Sequence, residues 1–428
     1  MTARRSADDA PNIIFILTDD LGYYELGCYG QEVLETPRLD AMAAEGMRFT
    51  HCYTGAPVCA PSRSVLMTGQ HGGHTRVRDN FAGVGGVPPQ GRVPLQREDT
   101  TVAEMLKDAG YATGIFGKWG LGEPGTCGIP NRKGFDEWFG YLNQRAAHSY
   151  YPPYLWRNRE KVELEGNAGE GRAQWSHDLI AEAGLDFIRE HADEPFFLYL
   201  PWTLPHGRYE IPDLGPYADM DWPEEAKAYA AMVRRIDTDV GRVLDLLKEL
   251  GIDENTIVFF CSDNGAARRW EGLFDSLRHL RGNKGDVYDG GILTPMIVRW
   301  PGQVPEGTVS DVVWYFADFL PTAAALTGVE PPAEIDGVSV LPALLGDEQD
   351  LSDRALYWEM PGDPLQQAAR RGDWKAVRHG LRGDVELYDL SSDPSEEHNV
   401  ADSNPDVAAE MNCYLNTAHT HSPYWPEG

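Results

Sequence analysis

Five short runs, each of strand length and almost free of polar residues, constrain this chain more than any other feature. They are Asn12 to Thr18 (NIIFILT), Ala112 to Phe116 (ATGIF), Phe196 to Leu200 (FFLYL), Thr256 to Cys261 (TIVFFC) and Met296 to Trp300 (MIVRW). A strand with one wet face alternates in polarity, whereas near-continuous apolar character belongs to strands covered on both faces, as in parallel sheets. Helical patterns lie between the runs. From Tyr229 to Leu250, residues Met232, Ile236, Val240, Val243, Leu247 and Leu250 form one stripe, and Gly251 ends it. Thr100 to Ala109 reads as a second helix, capped at Thr100 and stopped at Gly110, and Trp175 to Arg189 as a third. The alternation predicts a doubly wound α/β fold, a large mostly parallel sheet sandwiched by helices. Near residue 330 the texture changes. Glu330-Pro331-Pro332 reads as a linker, and strand-like pieces follow at Ala355 to Glu359, Lys375 to Arg378 and Val385 to Leu390, with a turn at Arg371-Gly372-Asp373. The expected organisation is a main domain over residues 1–330 and a small C-terminal α+β subdomain with an antiparallel sheet over residues 331–428, packed on the first.

Charge narrows the partners. Lys plus Arg number 37 against 67 Asp plus Glu, a formal net charge of −30, the wrong sign for a nucleic-acid partner. If the substrate is an anion, its site needs a local cluster of Lys, Arg or metal. No apolar run approaches a membrane span, so no membrane partner is expected. The N-terminal MTARRSADDAPN carries charges but no apolar core, so the chain as written is expected in the cytoplasm, or in the periplasm or outside the cell if a signal was removed. The six cysteines show no C-x-x-C and no zinc spacing.

The polar residues fall where an open α/β sheet binds ligands, beyond the carboxyl ends of its strands. The first run ends at Asp19-Asp20, the second at Lys118, the third near His206 and the fourth at Asp263-Asn264, and four such endings point to one shared site. Asp19, Asp20, Asp263 and Asn264 offer oxygen only, a set that suits Ca²⁺, with Mg²⁺ as the alternative, rather than zinc or copper. Either dipeptide alone reads equally as a cap or a turn. Cys59 stands just before Pro61, where a helix begins, so the dipole and free N–H groups favour an anion there. It is either a buried structural cysteine or an activated thiolate.

Cys59-Ala60-Pro61-Ser62-Arg63 matches the C-x-P-S-R signature of the type I sulfatases of the alkaline phosphatase superfamily, and the chain resembles that family along nearly its whole length. Thr18-Asp19-Asp20, Gly117-Lys118-Trp119, Pro205-His206, Ser262-Asp263-Asn264-Gly265, Gly282-Asn283-Lys284 and Gly290-Gly291 follow in the family's order, and Leu387-Tyr388-Asp389-Leu390 resembles its end. The resemblance implies that a maturation enzyme converts Cys59 to formylglycine, whose hydrated form attacks sulfur and passes through a covalent sulfate ester. It implies calcium held by Asp19, Asp20, Asp263, Asn264 and an oxygen of residue 59. It gives Arg63 the role of steadying nucleophile and metal, Lys118 and Lys284 that of binding sulfate, and His206 that of protonating the leaving oxygen, with Lys284 as a competing donor. Sulfatases often read G-K-W-H-x-G, with the histidine helping to deprotonate the nucleophile. Here Gly120 stands in that place, and His148 and His74 are the candidates to replace it; Asp289 replaces the glutamate of E-G-G.

For the substrate, His74 and Arg78 follow the signature helix and are candidates for the pocket rim. Leu142-Asn143-Gln144 with His148, Tyr150, Tyr151 and Trp156 suits a sugar, or equally loop packing on the core. Both segments look like those of bacterial sulfatases acting on polysaccharides or glycosaminoglycan fragments, so a sulfated carbohydrate is the expected partner. Two other readings stay open: a phosphodiesterase or phosphonate monoester hydrolase of the same superfamily, and a non-catalytic protein that binds sulfated glycans.

Overall fold

The computed structural model describes residues 10–87, 91–270 and 272–425. In the first half of the chain the strands are β1 (Asn12–Thr18), β2 (Met47–Tyr53), β3 (Ala112–Lys118), β4 (Glu137–Tyr141), β5 (Tyr154–Arg157), β6 (Glu160–Glu163) and β7 (Phe196–Pro201). There follow β8 (Thr256–Ser262), β9 (Leu293–Arg299), β10 (Thr308–Ser310) and β11 (Trp314–Tyr315). These eleven form one sheet in the order β10-β2-β9-β8-β1-β7-β3-β4-β5-β6, with β11 pairing β2. The centre, β8-β1-β7-β3-β4, is parallel throughout, while β9 runs antiparallel to both neighbours and β5 and β6 close the far edge antiparallel. The sheet is therefore mixed at its flanks and parallel at its centre, where four of the five apolar runs lie; the fifth, Met296 to Trp300, falls in antiparallel β9. Every residue of β1, β7, β8 and β9 is buried, as the lack of alternation requires.

The helices that matter here are α1 (Pro37–Ala44), α2 (Cys59–Thr68), α3 (Val102–Asp108), α4 (Ser176–Glu190) and α5 (Glu224–Leu250). The α5 stripe is buried and Gly251 closes the helix at φ 71, a conformation that costs glycine little. The cap of α3 is Thr101, one residue after the expected Thr100. Its hydroxyl accepts from Glu104 N–H while the Glu104 carboxylate accepts from Thr101 N–H, satisfying two helix-end donors at once.

A second, antiparallel sheet holds β12 (Ala355–Met360), β13 (Gln366–Arg371), β14 (Trp374–His379) and β15 (Val385–Asp389) in that order. Leu356, Trp358, Ala368, Val377 and Tyr388 join the core of the large sheet, while Tyr357, Ala369, Ala376 and Leu387 pack with Met411 and Leu415 of the C-terminal helix. Among the described residues, no helix is long and apolar enough to cross a membrane.

Candidate active site

β8, β1, β7 and β3 are neighbours and parallel, so their carboxyl ends form one rim. That rim gathers Asp19 and Asp20 after β1, Lys118 at the end of β3, His206 beyond β7, and Asp263 and Asn264 after β8. Across from it, α2 begins at Cys59, two residues before Pro61, and every one of its residues is buried. The helix thus turns the positive end of its dipole toward the rim.

Three carboxylates meet three cations there. Arg63 Nε and Nη2 donate to Asp263 Oδ2 at 3.0 and 2.8 Å, and its Nη1 donates to the Lys118 carbonyl at 2.7 Å. Lys118 Nζ is 2.6 Å from Asp19 Oδ2, and Lys284 Nζ is 2.6 and 2.7 Å from the two oxygens of Asp20. Cys59 Sγ lies between the sets, 3.3 Å from Asp19 Oδ1 and 3.6 Å from Lys284 Nζ. Asp20 holds φ 67, uncommon for a residue with a side chain, and its N–H reaches Asp263 Oδ1 at 3.3 Å.

The electrostatics follow from burial and pairing. Burial opposes ionisation of Asp19, yet the Lys118, Arg63 and Lys284 cations together hold it well below the usual carboxylate range. Burial and the Asp19 charge push the Cys59 thiol up to about 12. This corrects the activated-thiolate reading: the helix N-terminus does not overcome burial beside a carboxylate, and unmodified Cys59 is a thiol at neutral pH. Burial holds His206 down to about 4 against the pull of Asp19 and Asp20, so it is a neutral imidazole.

The donor set fits a hard cation. Asp19, Asp20, Cys59 and His206 offer atoms within 4.8 Å of one another. Asn264 donates its Nδ2 to Asp20 Oδ1 at 2.7 Å, while its Oδ1 is buried with no hydrogen-bond partner. An orphaned amide oxygen beside buried carboxylates is costly unless a cation takes it.

The peripheral candidates divide. His148 packs edge-on against His206, with ring centroids 4.5 Å apart, so it stands at the site. His74 does not; its Nδ1 lies 3.0 Å from Asp336 and its ring stacks on His71. Arg78 borders a cavity of about 870 Å³ with Glu359, but its nitrogens are engaged by Glu359, Thr420, Gly73 and Thr75. The structure brings neither His74 nor Arg78 to Cys59. The segment that carries them reaches the start of α2 through Asn80, whose Oδ1 accepts from Ala60 N–H, next to Cys59, at 3.0 Å. Tyr150 is core, as the packing alternative had it: its hydroxyl donates to the Thr203 and His206 carbonyls at 2.7 and 2.8 Å, fixing the His206 loop. Trp156 belongs to β5, which lies between β4 and the edge strand β6.

Residues 11–329 match the Sulfatase family, and residues 279–420 match a family described as N-sulphoglucosamine sulphohydrolase, C-terminal. The chain is 36% identical over 405 residues to N-acetylgalactosamine-6-sulfatase of Canis lupus familiaris, covering 86% of this chain and 72% of the relative. It is 32% identical over 461 residues to arylsulfatase A of Homo sapiens, covering 93% and 85% respectively. Among solved structures it is similar to Ps i-CgsB in complex with k-i-k-neocarrahexaose, with a TM-score of 0.85, 28% identity and coverage of 98% of this chain and 95% of that one. The phosphonate monoester hydrolase of Agrobacterium radiobacter, at 20% identity and a TM-score of 0.69 over 95% and 94% of the two chains, shares the fold. With the match running from residue 11 to residue 329 and the strand ends converging on Cys59, the chain belongs to the sulfatase family, enzymes that hydrolyse sulfate esters.

Proposed function

We propose that this sulfatase removes sulfate from a sulfated carbohydrate, a polysaccharide or glycosaminoglycan fragment. One observation carries the reading: three carboxylates, Asp19 and Asp263 buried and Asp20 partly so, each paired with a cation, surround Cys59 at a helix N-terminus. A calcium ion held by Asp19, Asp20, Asp263 and Asn264 would supply positive charge for sulfate oxygens. Residue 59 in its formylglycine form would supply an oxygen nucleophile that no unmodified side chain offers, at the place Sγ now marks.

The chain's own residues do the rest. With a cation on the carboxylates, the Lys118 and Lys284 ammonium groups are free to hold the anionic ester, preorganised where charge grows. Arg63 bridges Asp263 to the Lys118 carbonyl and so keeps rim and helix in register. Lys284, protonated and next to residue 59, carries the proton available to the leaving oxygen at neutral pH, and neutral His206 contributes a hydrogen bond. Sugar as the leaving group is supported by the relatives, one named for N-acetylgalactosamine 6-sulfate chemistry and one solved with a neocarrahexaose.

The test is a screen of defined sulfated mono- and disaccharides with protein matured in its native host. The peptide bearing residue 59 should be lighter by about 18 Da, as replacement of thiol by aldehyde requires. Sulfate release from at least one sugar, far above release of phosphate from an aryl phosphate, is the expected result. Matured protein that binds sulfated sugars without turnover, or prefers the phosphate ester, would overturn the proposal.

A further inference from the structure

Gly120 follows the strand that delivers Lys118, and its backbone sits at φ +91. A Cβ built there would meet Gln144 Nε2 at 1.9 Å, so Gln144 fills the space a side chain at 120 would take. Gln144 is buried, 4% exposed, and its orientation is not arbitrary. Arg92 Nη1 donates to Gln144 Oε1, and arginine only donates, so the amide nitrogen is the end turned toward Gly120. There, among the described residues, it finds the Gly120 carbonyl alone, at 3.5 Å, the limit of a hydrogen bond, which leaves a buried donor underused. The pair is wired to the nucleophile's helix. Arg92 Nη1 also donates to the Asn80 carbonyl at 3.2 Å, and the Asn80 side chain accepts from Ala60 N–H, next to Cys59. Glu123 backs Arg92 at 3.3 Å.

We propose that Gln144, oriented by Arg92, is an anion-facing donor: its Nε2 hydrogen-bonds an oxygen of the bound sulfate group beside residue 59. The inference rests on the sulfatase reading of the site. An amide gives a hydrogen bond but takes no proton at neutral pH, so position 120 and its neighbour bind rather than deprotonate. The device positions the ester and stabilises its charge.

Two variants test it, each first checked for an unchanged melting midpoint. Gln144→Glu keeps the shape but presents an anion where the amide donated. Its kcat/KM should fall roughly tenfold or more at every pH from 5 to 8, because the Arg92 guanidinium on that oxygen keeps the carboxylate ionised; a kcat/KM equal to the parent's overturns the proposal. Gln144→Met removes the donor without charge. The affinity of inorganic sulfate for the calcium-loaded, unmatured protein, read by calorimetry, should weaken roughly tenfold, the usual size of a lost bond to a charged group. Unchanged affinity overturns the proposal. A matured parent protein with no sulfatase turnover would sink the function reading instead, and the sulfate titration would still judge Gln144.

Discussion

Lys375 Nζ lies 2.5 Å from Asp289 Oδ1, joining the second sheet to the loop that bears Lys284. The same ammonium is 2.7 Å from Glu396 Oε1, Tyr53 donates to Asp289 Oδ2 at 2.9 Å, and all of this is buried. The Asp289 side chain, which replaces a family glutamate, is therefore a strut between β14 and the glycines that follow Lys284. Lys375→Met would leave two buried carboxylates facing each other. A loss of about 3–5 kcal/mol is expected, the scale for removing one partner of a buried pair. Urea unfolding checks it, and an unchanged midpoint would show that the cluster holds nothing together.

Cation binding should show in stability as well as activity. A ligand bound only by the folded state stabilises in proportion to the logarithm of its concentration over Kd. Chelator-treated protein should melt lower than protein with calcium, and the difference should shrink in Asn264→Ala, which removes the orphaned oxygen. A midpoint insensitive to both chelator and calcium would count against the site.

Unmatured Cys59 should resist alkylation. With its thiol pushed up to about 12, almost none is thiolate at pH 8. Exposed Cys413 should react with iodoacetamide many times faster, as mass spectrometry of the two peptides would reveal. Equal rates would mean that Cys59 is neither as buried nor as protonated as its surroundings dictate.

The central fold was legible because a strand covered on both faces must be apolar along its length, and β1, β3, β7, β8 and β9 are. Their order was partly legible too, since chemistry collects at the carboxyl ends of parallel strands. The strands that went unread have mixed composition for physical reasons. β2 alternates burial, β5 and β6 are a wet edge, and β13 reads QQAARR. In β13 the polar groups are buried but paired: Gln367 Oε1 accepts from Arg378 Nη2 at 2.6 Å and Arg370 Nη1 donates to the Tyr53 hydroxyl at 2.6 Å. In the site, Asp19, Lys118, Cys59 and Asp263 were legible from motif order. The contacts of Arg92, Asn80 and Gln144 were not, because no local spacing links residue 92 to residue 144. The partners of His74 and Arg78, Asp336 and Glu359, were not legible either, because proximity in sequence to a signature helix says nothing of which carboxylate a side chain meets.

Acid should weaken the helical flank of the molecule through Asp239. This carboxylate on α5 accepts from His177 of α4 at 2.9 Å and from Arg235 and Arg242 at 2.6 and 3.0 Å. Burial alone would raise it, but the His177 hydrogen bond and charge, with Arg235, bring it down to about 2 from 3.8. The folded state therefore releases this proton more readily than the unfolded chain does. Its contribution is fully present above about pH 4 and is lost as pH falls through 3.8 toward 2, where the unfolded chain binds the proton first. A shift of that size corresponds to about 2 kcal/mol. Asp239→Asn should lower stability at pH 6 and lose less of it than the parent between pH 4 and pH 2. Parallel urea midpoints for the two proteins across that window would show that the His177–Asp239 pair does not set the acid limb.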